Sequence, residues 1–307
     1  MPATQGATVA AAATGEATIV AHESSDASSA SAAQHAQLQF FSSWFCPYAQ
    51  RAWLALEESG CPYTWREIQP YLLDADTGEP TKNPKPIEQK RAEFPEFVAC
   101  SPGGLVPALL LEQPADADAD APPTRVHESL ICVEHIDARY AGGALMSASP
   151  DVRHGIAAAE ESVLPSFYRL LMEQGHDSRE AAAQEICDGL LRWAAARPAG
   201  AAERGPFFLG ETFSAADIAL CPWWPQRLEW IAGSYRGFSL PSGPEFEPLR
   251  RFAQAVQARP SVQRTVVSRE RLIRNYSGYV RTTATTAPSH SPSPHREPCP
   301  NQESVWM

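Results

Sequence analysis

A cysteine stands immediately before a proline where a short apolar run gives way to a helical pattern, and this junction constrains the fold of the 307-residue chain more than any other feature. Leu38, Gln39, Phe40 and Phe41 read as a strand, while Cys46, Pro47, Tyr48, Ala49, Gln50 and Arg51 open an amphipathic stretch that runs to Glu58. Proline suits the first helical position, because its missing N–H would have no partner there and its φ is already helical. The cysteine before it lies where the free N–H groups and the positive end of the helix dipole converge. That setting favours a thiolate and predicts a lowered thiol pKa. A free cysteine elsewhere is most often a small buried hydrophobe. Position 49 is alanine, so any disulfide made by Cys46 must take its second sulfur from another molecule.

Composition narrows the class. Lys+Arg 25 against Asp+Glu 36 gives a net charge of −11, which argues against a general nucleic-acid binder. One stretch runs the other way: positions 250–281 hold eight arginines and the single acid Glu270, a pattern expected of solvated helix faces. The seven cysteines, at 46, 61, 100, 132, 187, 221 and 299, show neither paired metal-ligand spacing nor a secreted disulfide framework. The expectation is a protein of a reducing, cytoplasmic compartment with no bound metal. No apolar run approaches the roughly 20 residues needed to span a bilayer, so no membrane partner is expected.

The chain divides into four parts. Residues 1–36 are rich in Ala, Ser and Thr with no Lys or Arg, and read as a disordered arm rather than an Arg-rich transit peptide. Residues 37–142 alternate strand and helix signals: strands near 38–41, 63–68, 106–111 and 124–126, and helices over 47–59 and 128–140, the latter ended by Gly142 and Gly143. Between them, 69–95 reads as a long proline-bearing loop and 112–123 as a solvated hairpin insertion. Residues 150–280 are helical, with apolar spacing near 3.6 over 151–173, 178–196, 214–230, 246–258 and 261–274. Within them Ser214 and Asp217 form a capping box, with Phe213 and Ile218 placed as a hydrophobic staple. The Thr-, Ser- and Pro-rich residues 281–307 read as a disordered tail.

A strand–Cys-Pro-x-x–helix unit followed by a helical domain with this cap resembles a cytosolic glutathione transferase, and Cys46-Pro47-Tyr48-Ala49-Gln50-Arg51 is similar to the motif of its omega class. Gly104-Leu105-Val106-Pro107 resembles the segment that presents a cis proline and a backbone-pairing residue to glutathione, and Glu128-Ser129 the pair that binds its γ-glutamyl end. The resemblance covers roughly residues 37–275 and implies an α/β plus all-α fold: a thioredoxin-like domain, then an all-helical domain. The chemistry agrees. Val106, before a proline, is pushed to extended geometry and can pair with a peptide as an added strand. Glu128 can accept from an amino group, and Ser129 with the helix N–H groups suits a carboxylate.

The resemblance therefore implies Cys46 as nucleophile and Phe45, Val106, Pro107, Glu128 and Ser129 as glutathione-binding residues. One of Lys82, Lys85 and Lys90 would meet the glycyl carboxylate, and the long 69–95 segment leaves the choice open. Pro222, Trp223, Trp224 and Trp230 are candidates for an acceptor pocket. The expected activity is glutathione-dependent thiol transfer with dehydroascorbate reduction, acting on small or protein disulfides; the resemblance also admits a homodimer. The rivals are glutathione conjugation to electrophiles, and a non-enzymatic binding or regulatory protein of the same fold, such as a relative of the intracellular chloride-channel proteins.

Overall fold

The computed structural model describes residues 38–76, 78, 80–111, 122–146 and 149–281; the expectations for the two arms and for most of the 112–123 insertion lie outside these residues. β1 (Leu38–Ser42) leads through a four-residue turn into α1 (Pro47–Ser59), and the chain returns along β2 (Thr64–Glu67), parallel to β1. A small hairpin, β3 (Tyr71–Leu73) and β4 (Pro80–Pro84), precedes α2 (Ile87–Glu93) and α3 (Pro95–Cys100). Then come β5 (Ala108–Leu111), β6 (Thr124–His127) and α4 (Ser129–Ile136), the last running on as a π-helical turn through Ala141. The sheet order is β2-β1-β5-β6, with β1–β5 and β5–β6 antiparallel. This is a thioredoxin-like domain.

Successive β1 side chains face opposite sides of the sheet, as strand geometry requires. Leu38 and Phe40 join the core that includes Ala52, Leu54 and Val133 of α1 and α4, whereas Phe41 packs with Phe97 and Val98 of α3. Gly60 closes α1 in the left-handed region at φ 66°, its N–H bonding to the Leu56 carbonyl, the use for which a residue without a Cβ is suited.

The helical domain follows: α5 (Pro150–Ser162), α6 (Leu164–Met172), α7 (His176–Ala195), α8 (Ala201–Arg204), α9 (Ala215–Leu220), a π-helical segment (Pro222–Ala232), α10 (Gly233–Arg236), a short 3-10 turn (Pro244–Phe246), α11 (Glu247–Ala258), α12 (Pro260–Thr265) and α13 (Arg269–Arg281). The expected capping box is present: the Asp217 carboxylate accepts from the Ser214 N–H at 2.8 Å and also from the Phe208 N–H at 2.7 Å. Three expected helices are divided. The 151–173 helix breaks at Val163, just before Pro165, which supplies no N–H. The 214–230 helix breaks at Cys221 and again at Trp224, whose backbone is extended before Pro225. The 261–274 helix breaks at Val266. The 69–95 segment, expected as a loop, instead holds the β3–β4 hairpin, α2 and the start of α3. The two domains share one apolar core that runs from Leu38 and Phe40 to Trp193, Phe252 and Leu272.

Candidate active site

Sheet register brings the sequence-predicted residues to one edge. Phe41 pairs with Ala108, and Ala108 pairs with His127. The loop from β1 to Cys46, the Val106–Pro107 turn before β5, and Glu128-Ser129 after β6 therefore emerge side by side. The Val106–Pro107 peptide is cis. Gly104 approaches the protein closely: a Cβ there would fall 2.8 Å from the Lys90 side chain at φ 61°.

Cys46 is the N-cap of α1, with extended backbone (φ −80°, ψ 121°) and Pro47 in the first turn. Its residue is partly accessible, but the thiol sits deep among packed side chains, and burial pushes it above the ordinary thiol value. The Ala49 N–H, Arg227, the Tyr48 N–H and Arg51 all act in the opposite direction. The helix start thus lowers the pKa as expected, but desolvation outweighs it in the protein without ligand, which corrects the expectation of a net depression.

The surroundings of Cys46 come from both domains. Phe45 is buried, stacks on Tyr71 with centroids 5.7 Å apart, and its carbonyl accepts from Arg227 Nη2 at 3.0 Å and from the Tyr276 hydroxyl at 3.3 Å. Tyr168, Tyr276 and Tyr279 are held by burial well up in, or above, the usual phenol range and so stay protonated at neutral pH. The Tyr71 and Tyr279 hydroxyls meet at 3.0 Å, tying the β3–β4 hairpin to α13.

The glutathione-cradle candidates take distinct positions. Glu128 starts α4 at a φ of 71° and its side chain is 66 % exposed, so the carboxylate faces outward and can meet a ligand. Ser129 is buried, and its hydroxyl accepts from Arg51 Nη1 at 3.3 Å. Val106 is half-buried and Pro107 buried.

The three lysines separate. Lys85 pairs with Glu93 at 2.5 Å. Lys90 is buried and donates to the Gly104 carbonyl at 2.9 Å, bracing the loop that carries Val106. Lys82 alone stands beside Phe45, its ammonium 4.4 Å from that ring and 5.0 Å from the Tyr71 ring, and bonded to Asn275 of α13.

The expected acceptor pocket is divided. Trp223 and Trp224 are core: Trp224 donates its indole N–H to the Leu249 carbonyl, and Trp223 packs edge-on against Tyr48. Pro222 is buried too. Trp230 lines a cavity of about 270 Å³, shared with Gln50, Pro225, Val262 and Val266 on the α1–α12 side.

Sequence reasoning passed over Arg227, Tyr276 and Tyr279, and quoted Arg51 without a role. The i, i+3 spacing of the two tyrosines was visible, but nothing local tells that α13 returns to Cys46. Among the described residues no group of three His, Cys, Asp or Glu side chains is arranged to hold a metal ion, and no helix is long and apolar enough to cross a membrane.

A thioredoxin-like domain with a helix-start cysteine and a cis proline, joined to an all-helical domain, is the arrangement seen in glutathione transferase structures. Residues 45–139 match the glutathione S-transferase N-terminal domain family. A probable glutathione S-transferase DHAR2, chloroplastic, of Oryza sativa subsp. japonica is 25% identical over 231 residues, covering 74% of this chain and 68% of the rice protein. Glutathione S-transferase DHAR2 of Arabidopsis thaliana is 24% identical over 236 residues, covering 76% of this chain and 90% of its own length. Among solved structures, glutathione transferase Omega 3C from Trametes versicolor is 27% identical with a TM-score of 0.58, over 80% of this chain and 91% of that one. Together these likenesses support an omega-like glutathione transferase.

Proposed function

We propose that this protein is a glutathione-dependent thiol transferase that uses Cys46 as its single nucleophile. The observation that carries the reading is the placement of Cys46 at the start of α1, beside the sheet edge that presents Val106, Glu128 and Ser129, with alanine rather than cysteine at position 49. The fit to glutathione rests on the same edge: an outward carboxylate for the γ-glutamyl amine, a hydroxyl and helix start for its carboxylate, and an extended residue before Pro107 for backbone pairing. The names of the DHAR relatives and of the omega-class structure support the same chemistry.

In the first step the Cys46 thiolate attacks the glutathione sulfur of a mixed disulfide; a Cys46–glutathione disulfide forms, the original S–S bond breaks, and the partner sulfur leaves as a thiolate that takes up a proton. In the second, a glutathione thiolate attacks that disulfide, releasing oxidised glutathione and restoring Cys46. Reduction of dehydroascorbate draws its two electrons from two glutathione molecules through the same thiol. The six cysteines within the described residues are all free, as suits a reducing cytoplasm.

The test is turnover of a glutathione mixed disulfide, of dehydroascorbate and of an electrophile by wild type, Cys46→Ala and Cys46→Ser. Both variants should lose thiol transfer, and mass spectrometry should find a glutathione adduct on Cys46 of the wild type. The serine variant should gain conjugation, since a hydroxyl can hold the glutathione thiolate without capturing it. Wild-type thiol transfer by Cys46→Ala would end this reading.

A further inference from the structure

Two arginines are fully enclosed near the Cys46 thiol, and they differ in one respect. Arg51, on α1, is ion-paired with Glu160 of α5 and also donates to the Ala219 carbonyl. Arg227, in the π-helical segment, is 1 % exposed and its guanidinium meets only neutral acceptors: the Phe45 carbonyl at 3.0 Å, the Pro222 carbonyl at 2.6 Å, Gln50 Oε1 at 2.6 Å and the Tyr276 hydroxyl at 3.1 Å. Among the described residues no carboxylate pairs with it. An enclosed charge without a counter-charge is costly, and chains that keep one have a compensating group close by. The ionisable groups of opposite sign that feel this guanidinium are the Tyr276 phenol and the Cys221 thiol, both pushed up by burial, and the Cys46 thiol, one peptide bond beyond the carbonyl that Nη2 holds; of the three, Cys46 alone stands at a helix start beside the sheet edge.

The arrangement also fixes position. Through four hydrogen bonds Arg227 joins the catalytic turn (Phe45), the first turn of α1 (Gln50), its own segment (Pro222) and α13 (Tyr276). The charged and titratable groups around Cys46 are Tyr48 and Arg51 from α1, Tyr71 and Lys82 from the hairpin, Tyr168 from α6, Arg227, and Tyr276 and Tyr279 from α13. The phenols are neutral, Arg51 is shared with Glu160, and Lys82 is turned to Asn275 and the rings.

We infer that Arg227 is a positioning residue for thiol transfer: its guanidinium, anchored on the Phe45 carbonyl, is the counter-charge that holds the Cys46 sulfur ionised while it attacks. This rests on Cys46 being the nucleophile. Arg227 touches neither reacting sulfur in this scheme; it acts through Phe45 and through its field.

The experiment follows alkylation of the Cys46 peptide by iodoacetamide in the full chain, from about pH 6 to about pH 11, a range that extends well above the ordinary cysteine value of about 8.5 because burial already raises the wild-type thiol. Arg227→Met should move the inflection up by about one unit or more, and Arg227→Lys, which keeps the charge, should recover part of that shift. Turnover of the methionine variant should fall about tenfold near neutrality, recover as the pH is raised, and leave KM for glutathione within about twofold. An unmoved inflection in Arg227→Met overturns the inference. If that variant does not fold, Tyr276→Phe decides: deleting one neutral acceptor leaves more of the guanidinium field to the sulfur, so the inflection should fall, and a rise would show that the phenol, not Arg227, supports the thiolate. Persistent thiol transfer by Cys46→Ala would instead remove the reading beneath it, whatever the arginine variants do.

Discussion

Arg51 and Ser129 lie on different helices of the first domain and meet at 3.3 Å, the serine hydroxyl accepting from Nη1 of a guanidinium that simultaneously binds Glu160 and the Ala219 carbonyl of the second domain. The arginine of the Cys-Pro-x-x-x-Arg motif is therefore a strut between the proposed glutathione cradle and the helical domain. Arg51→Met should lower stability by about 2 kcal/mol or more, because several charge-assisted bonds are lost and the Ala219 carbonyl is left buried without its donor. It should also weaken glutathione binding through the released Ser129. Chemical denaturation and glutathione titration measure the two effects; a change in neither would show that the strut is not needed.

The pH dependence of Cys46 follows from its raised thiol pKa. The neutral thiol is favoured in the folded protein, so the thiolate fraction at neutral pH is smaller than for an exposed cysteine. Alkylation of wild-type Cys46 without glutathione should be slow at pH 7 and should still be climbing with pH beyond about 8.5. The linkage has the same sign. A group whose folded pKa exceeds its unfolded value stabilises the fold below the unfolded value, and that contribution fades as the pH rises through the folded one. Differential scanning of wild type against Cys46→Ser should therefore show the wild type losing ground only in alkaline buffer.

Glu128 holds a φ of 71° that a residue with a Cβ rarely adopts, while its side chain remains largely in solvent. Such strain, of order 1–3 kcal/mol, is tolerated where function requires the residue. Glu128→Gly should be more stable than Glu128→Ala by about 1 kcal/mol, because only glycine occupies this region without cost. Both should bind glutathione more weakly than wild type. Equal melting temperatures for the two variants would show that the backbone is not strained, and undiminished affinity would remove Glu128 from the cradle.

Gly189 lies in α7 where that helix crosses α5, and a Cβ on it would stand 2.4 Å from the Ser162 carbonyl oxygen. The obstacle is backbone, so no rotamer change relieves it. Gly189→Ala should destabilise the protein by about 1–3 kcal/mol despite the better helix propensity of alanine. A melting temperature equal to wild type would show that α5 and α7 can separate freely.

How much of this was legible depends on how local the signals are. The bounds of α1 were read in full because Pro47 and Gly60 mark both ends. The proposed cradle residues could be picked out because each sits in a short motif, and sheet register brings those motifs side by side. The hairpin was not, since Pro80 and Pro84 read as breakers and Lys82 adopts a φ of 66° that no local pattern announces. Nor could the three lysines be told apart: what singles out Lys82 is its bond to Asn275, 193 positions away. Arg227 was hidden for a related reason, because its lack of a carboxylate partner is a property of packing and not of spacing.

The Tyr276 hydroxyl reaches the Phe45 carbonyl across 231 positions of chain. On a ribosome, which delivers the chain from its N-terminal end, the strand and helix around Cys46 emerge long before the helix that completes their surroundings. For most of synthesis the thiol has its helix dipole but neither its arginine nor its phenolic wall. A nascent chain interrupted before α13 would carry an open, unregulated cysteine. The last helix described is thus what turns a reactive side chain into an enclosed one, and the order in which the parts are made sets the period during which that side chain is unprotected.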